Sequence, residues 1–179
     1  MVTKVKSVAE LIESIENGNR HEHLYFWGHK GKKGCLSQWH EDSPFDIDGI
    51  TYKTAEHWMM ASKARLFGDE QSERTIIACN HPRDVKDIGR AVKGFDAKMW
   101  DEYKFDFVVQ GNIAKFKQNP DILRFLKSTG NKILVEASPY DRIWGIGMHC
   151  TDKGIENPKN WKGENLLGFA LMEVREQLK

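Results

Sequence analysis

From Asp96 to Lys117 the chain runs without proline and with only one glycine, Gly111. Trp100, Tyr103, Phe105, Phe107, Val108, Val109, Ile113 and Phe116 spread over much of a helical circumference in that stretch. A helix that is apolar on most sides has to be covered on most sides. The stretch therefore predicts a central buried helix, and a chain built to wrap one is mainly helical.

The remaining elements agree. Ser7 is placed to cap a short helix through Glu16, with Val8, Leu11, Ile12 and Ile15 at helical spacing and Asn17-Gly18 as its stop. Leu24–Gly28 is aromatic and strand-like, and Cys35–Trp39 reads as a short strand or an ordered loop. Phe45–Tyr52 alternates around Asp48-Gly49, a pair suited to the positive φ of a tight hairpin turn. Helices are expected over Thr54–Phe67, Glu70–Cys79 and from Asn80-His81-Pro82 to about Val92. A short helix follows Asn119-Pro120, a strand Lys132–Ala137, and a last helix runs from Glu164 or Asn165 to Leu178. The segment Ser138–Gly147 is turn-rich and His149–Lys162 is polar. The fold class is α+β, mainly α: one domain with a small antiparallel sheet packed on helices. The order of elements lacks the β-α alternation of a doubly wound sheet, so Gly145-x-Gly147 is not a dinucleotide fingerprint.

Composition excludes several classes. Charged residues make up 30% and hydrophobic ones 40% of the 179, a globular balance in one core-sized domain. A net charge of +1 supplies no broad basic field for unselective nucleic-acid binding, although Lys30, Lys32 and Lys33 share one loop. Cys35, Cys79 and Cys150 are far apart and odd in number, which points to reduced thiols and a cytoplasmic location. The N-terminus has no signal-peptide core and no segment is apolar enough to span a membrane. His21-Glu22-His23 is a weak metal candidate without further close ligands, so no metal and no cofactor are expected.

Chemistry concentrates on Thr54–Phe67. Thr54 is an N-cap and Gly68 a stop. Glu56 and Lys63 are two turns apart and project from nearly one face, with Met60 between them. Such a pair is either a structural ion pair or a reaction centre. Glu56 is either a first-turn acid favoured by the helix dipole or a catalytic carboxylate. Lys63 is either a solvated lysine or an amine whose pKa is lowered by apolar neighbours. Arg90 forms a salt bridge or a phosphate fork. Trp144 is a packing residue or a ligand wall, its glycines allowing close backbone approach. Asn165 is a plain cap or part of an anion site at the last helix start.

Thr54-Ala55-Glu56-His57 with Ser62-Lys63, then Gly89-Arg90, Trp144-Gly145-Ile146-Gly147, Lys162–Gly168 and Leu171–Leu178 together resemble the NADAR, or YbiA-like, family. The resemblance runs from about Leu24 to the C-terminus. It implies an N-terminal helical extension over residues 1–20 and a YbiA-like N-glycosidase domain over 21–179. Bacterial members hydrolyse the bond between phosphoribose and the amine of early riboflavin-pathway intermediates; others remove ADP-ribose from guanine in nucleic acid. By position, the resemblance implies that Glu56 is the catalytic acid and Lys63 its partner. It implies substrate contacts at Ser37, Trp39, His57, Arg90, Trp144, Gly145, Gly147, Gly163 and Asn165. Lys63 would orient Glu56, protonate the leaving group or attack the sugar carbon to form an imine, a noncovalent role being the expectation. Two departures stand out. The family often has Leu-Ser-Asn-Phe where this chain has Leu36-Ser37-Gln38-Trp39, and some members have an acid where it has Ile146. The expected partner is a small phosphorylated ribosyl substrate or ADP-ribosylated guanine. A noncatalytic binder of ADP-ribose or a nucleotide is the alternative from another class.

Overall fold

The computed structural model describes residues 5–179; residues 1–4, the start of the expected N-terminal extension, lie outside the described residues. Among the described residues there are seven α-helices and two sheets of two strands each, an α+β fold that is mainly α. No described helix is long and apolar enough to cross a membrane. The chain forms two compact units, one from the residues up to Trp27 with Phe125–Gln177, the other from Gly28–Arg124.

In the first unit, Ser7 caps α1 (Val8–Glu16) by accepting from the Glu10 N–H, as its position predicts. Strand β1 (His23–Phe26) pairs in parallel with β4 (Ile133–Glu136), His23 opposite Ile133 and Phe26 opposite Glu136. The antiparallel sheet expected from the sequence is the hairpin of the other unit; the sequence gives no hint of this parallel pair, whose strands are separated by more than half the chain. Helix α7 (Leu166–Gln177) packs on β4 through Leu167, Leu171 and Val174, all buried. Gly168 makes the approach possible: a Cβ there would lie 2.0 Å from the Leu134 carbonyl oxygen. At the far end of α7 the Arg175 guanidinium donates to Thr129 Oγ1 at 2.7 Å and to the Lys132 carbonyl at 3.0 Å.

In the second unit, β2 (Phe45–Ile47) and β3 (Ile50–Tyr52) form the predicted hairpin, with φ of +51° at Asp48 and +79° at Gly49. Tyr52 stacks on Phe45 and meets Trp58 edge-on, which sets the entry to α2 (Ala55–Leu66). Helix α2 packs against α3 (Glu70–Ala78), α4 (Pro82–Arg90) and α5 (Ala97–Gln118). Within the Asn80-His81-Pro82 entry, His81 is the N-cap of α4, its imidazole Nδ1 accepting from the Arg83 N–H. Of the two readings of Cys35–Trp39, a short strand or an ordered loop, the structure has the second: a 3-10 turn, Gly34–Leu36, running into an extended loop. Its compactness comes from Gly34, where any Cβ would strike the His29 carbonyl.

The expectation of a central buried helix fails in part. Helix α5 is buried through Val108, Val109, Asn112, Lys115 and Phe116, but Met99 and Tyr103 are exposed. Its outer aromatics cover one another instead, Phe107 stacking on Trp100 and Tyr103. The buried helix of the unit is α2, in which every residue from Ala55 to Ala64 is buried. Helix α6 (Pro120–Ser128) contains the boundary between the units.

The Gly168 contact is tested by adding one methyl. Gly168→Ala is expected to lower the free energy of unfolding by about 3 kcal/mol, the upper range for overpacking. An unchanged midpoint in chemical denaturation would contradict the packing of α7 on β4.

Candidate active site

The start of α2 is held from three directions. Thr54 Oγ1 accepts from the His57 backbone N–H at 3.4 Å and lies 2.8 Å from His57 Nδ1. His57 Nε2 lies 3.2 Å from the Cys79 carbonyl, which can only accept, so this nitrogen carries the proton. Nδ1 then accepts from the Thr54 hydroxyl. Burial lowers the His57 pKa and keeps the ring neutral, outweighing the pull of the Cys79 hydrogen bond. Both ring nitrogens of His57, an expected substrate contact, are thus spent within the fold. Glu56 is buried on the next position, and its N–H donates to the Gln38 carbonyl at 2.9 Å.

Two turns on, Lys63 is buried, 8% exposed. Its Nζ donates to the Gly89 carbonyl at 2.7 Å and lies 4.1 Å from the centre of the Phe95 ring and 5.7 Å from that of Trp100. Burial lowers its pKa. Among the described residues no carboxylate pairs with it, so the ion-pair reading of Glu56 and Lys63 is excluded. Gly89 is small for a reason, since a Cβ would overlap Met60, which lies between Glu56 and Lys63 in the helix. The carbonyl that receives Lys63 is held against α2 by that contact.

The loop before the hairpin carries two further expected site residues. Ser37 Oγ accepts from the Trp39 N–H at 3.1 Å. Trp39 is half-buried, with Lys86 Nζ 5.8 Å above its ring and His29 beside it. Between them, Gln38 is held by its side chain: Asn112 Nδ2 donates to its Oε1 at 2.7 Å. Lys115 is fully buried and its Nζ donates to the carbonyls of Cys35 at 2.8 Å and Ser37 at 2.9 Å. Burial pushes its pKa down to about 7. Gln38 enters the sequence analysis only as a departure from the family pattern, and Asn112 and Lys115 not at all; the one available signal is polar residues at positions 112 and 115 of an otherwise apolar helix face. Arg90 stands apart on the surface of α4, paired with Asp87 at 3.3 Å.

The remaining expected residues lie in the first unit. Trp144 is half-buried, and Asp141 Oδ1 accepts from its N–H at 2.7 Å. Asn165 is fully buried with φ of +55°. Its Oδ1 accepts from the Glu136 N–H and its Nδ2 donates to the Leu134 carbonyl, both at 2.9 Å. It therefore clamps β4 instead of capping α7. The N–H groups of Leu166 and Leu167, at the start of α7, go to the carbonyls of Ile143 and Trp144. Gly145, Gly147 and Gly163 are places of close approach: a Cβ at Gly163 would lie 2.3 Å from the Gly145 carbonyl, and one at Gly145 would lie 2.9 Å from that of Glu136. Gly147 has φ of +65°. No group of three or more His, Cys, Asp or Glu converges as a metal site among the described residues.

A buried carboxylate and, two turns on, a buried amine with no carboxylate partner among the described residues, within a small mainly helical α+β chain, are the ingredients of an acid–base or nucleophilic enzyme. The family model that matches is the NADAR domain, over residues 25–179. The chain belongs to the NADAR domain family. It is 48% identical over 127 residues to N-glycosidase R617 of Acanthamoeba polyphaga mimivirus, covering 70% of this chain and 74% of that one. It is 33% identical over 135 residues to N-glycosidase YbiA of Escherichia coli strain K12, covering 75% and 76%. The solution NMR structure of E. coli YbiA superposes with a TM-score of 0.73 at 30% identity, covering 89% of this chain and 86% of that one. With these relatives, the chain is an N-glycosidase.

The neutral, buried His57 has a pH consequence. Its folded pKa lies below its unfolded value near 6.5, so the stability it contributes is complete above pH 6.5 and is lost as pH falls through the folded value. His57→Gln is expected to flatten part of the decline in Tm between about pH 6.5 and 5. Parallel Tm curves for variant and parent would show that His57 is not held neutral.

Proposed function

We propose that the chain hydrolyses the N-glycosidic bond of riboflavin-pathway ribosylaminopyrimidine phosphates, in the cytoplasm, with Glu56 and Lys63 as its catalytic residues. Membership of the N-glycosidase relatives supports the bond type. The observation that carries the residue assignment is the burial of both groups on α2, with Lys63 lacking a carboxylate partner among the described residues. A net charge of +1 favours a small phosphorylated substrate over a polynucleotide. Three free thiols agree with a reducing compartment.

Breaking a ribosyl C–N bond builds positive charge at C1′ and requires a proton on the departing nitrogen. Glu56 supplies the anion beside that charge and relays protons. The noncovalent role is the expectation from sequence; the surroundings of Lys63 support attack as the reading proposed here. A desolvated lysine without a counter-ion has a larger share of neutral amine, the nucleophilic form. The Lys63 amine bonds to C1′ as the C1′–N bond breaks; the base leaves with that electron pair and takes a proton from the Lys63 nitrogen through Glu56. The second Lys63 proton passes to the ring oxygen as the sugar opens, leaving an imine. Water adds to the imine, returning the amine and the free phosphorylated sugar.

Incubation with the ribosylaminopyrimidine phosphates and, separately, with an ADP-ribosylated guanine oligonucleotide tests the substrate. Free base is expected from the first only; release from the oligonucleotide alone would move the chain to the nucleic-acid branch, and binding of ADP-ribose without release from either would make it a binder. Glu56→Gln is expected to lower kcat about a thousandfold with the fold intact. Borohydride during turnover is expected to trap a protein–sugar adduct seen by mass spectrometry and missing in Lys63→Ala. Turnover without a trapped adduct would return Lys63 to a noncovalent role.

A further inference from the structure

Helix α5 spends two buried polar side chains on one short loop. Lys115 is 0% exposed, so it meets no solvent, and its ammonium has no carboxylate partner among the described residues. Burying a lysine this way is costly, and the lowered pKa records that cost. An apolar residue would fill the site without it. What the amine holds are the carbonyls of Cys35 and Ser37, which flank the end of the 3-10 turn; the Ser37 carbonyl also takes the His40 N–H at 3.4 Å. One turn earlier Asn112 donates to Gln38 Oε1, while also donating to the Val108 carbonyl of its own helix. Gln38 Nε2 lies 4.0 Å from Met59 Sδ of α2. The Gln38 carbonyl then takes the N–H of Glu56, one of the free donors of the first turn of α2. The chain of contacts runs from α5 through residues 35–38 to the backbone of Glu56, and from there to its carboxylate.

We propose that Lys115, through the Cys35–Gln38 loop, is a positioning residue for Glu56. The inference rests on Glu56 being the catalytic acid. A carboxylate in a first helical turn whose N–H is held by a neighbouring loop shifts with that loop, and misplacement by about 1 Å at a reacting group costs on the order of a hundredfold in rate. Two carbonyls on one amine remove that freedom, and Lys115 does so without touching substrate. The titratable groups facing it are the Cys35 thiol, whose pKa burial raises against the pull of Lys115, and His40, whose pKa burial and Lys115 both lower.

The test is a double-mutant cycle on the whole chain with the substrate it turns over. Lys115→Met keeps the length and apolar volume of the side chain and removes the amine. Tm is expected to stay level or rise, kcat to fall at least tenfold, and KM to change less than twofold. In the Glu56→Gln background, Lys115→Met is expected to have no further effect on the residual rate, because the group it positions is already disabled. A purely structural lysine would lower the rate by the same factor in both backgrounds. A folded Lys115→Met enzyme with parental kcat, or equal factors in both backgrounds, overturns the proposal. Full activity in Glu56→Gln alone overturns the assignment of Glu56 and is distinguishable from either. Should Lys115→Met not fold, Gln38→Met cuts the Asn112 tie to the same loop. Loss of kcat confined to the Glu56 background supports the proposal, and parental kcat overturns it.

Discussion

The burial of α2 is the constraint on which the second unit depends. Ten successive residues of this helix are removed from solvent, and Glu56, His57, Ser62 and Lys63 are among them. An apolar helix could be buried by packing alone. A helix with two charges and an imidazole cannot, because each polar group taken from water has to find a partner or shift its titration. The unit is built around those needs. The Cys79 carbonyl at the end of α3 meets His57, the Gly89 carbonyl of α4 meets Lys63, and the Gln38 carbonyl meets the Glu56 N–H. The helices around α2 therefore act as sources of backbone acceptors as much as of apolar surface. Met60 in the gap left by Gly89, and the Trp58 indole against Gly111, bring those backbones close enough to serve.

The glycines of the first unit work by the same device with a different purpose. Gly145, Gly163 and Gly168 each occupy a point where another backbone carbonyl lies within 2.9 Å of where a Cβ would stand. The Trp-Gly-Ile-Gly loop, the segment before α7 and strand β4 can then hydrogen-bond directly: Ile146 N–H to the Glu136 carbonyl, Lys162 N–H to the Ile146 carbonyl, and Asn165 across β4. Asn165 tolerates φ of +55° better than most residues. The Trp-Gly-Ile-Gly loop and the segment before α7 thus form a backbone junction.

How much of this the sequence discloses depends on the range of the interaction. The β2–β3 hairpin and the caps at Ser7 and Thr54 are legible because their determinants lie within a few residues. The parallel pairing of β1 with β4 is not, since nothing local marks which distant strand β1 will meet. Helix α5 misled for a related reason. Its aromatics fit a buried helix by count, but Trp100, Tyr103 and Phe107 cover one another at the surface, and apolar content alone does not separate the two. Glu56 and Lys63 were visible as residues on one face, but their lack of mutual contact was not. Lys115 was invisible: a lysine near the end of a helix is almost always solvated, and its partners are eighty residues away.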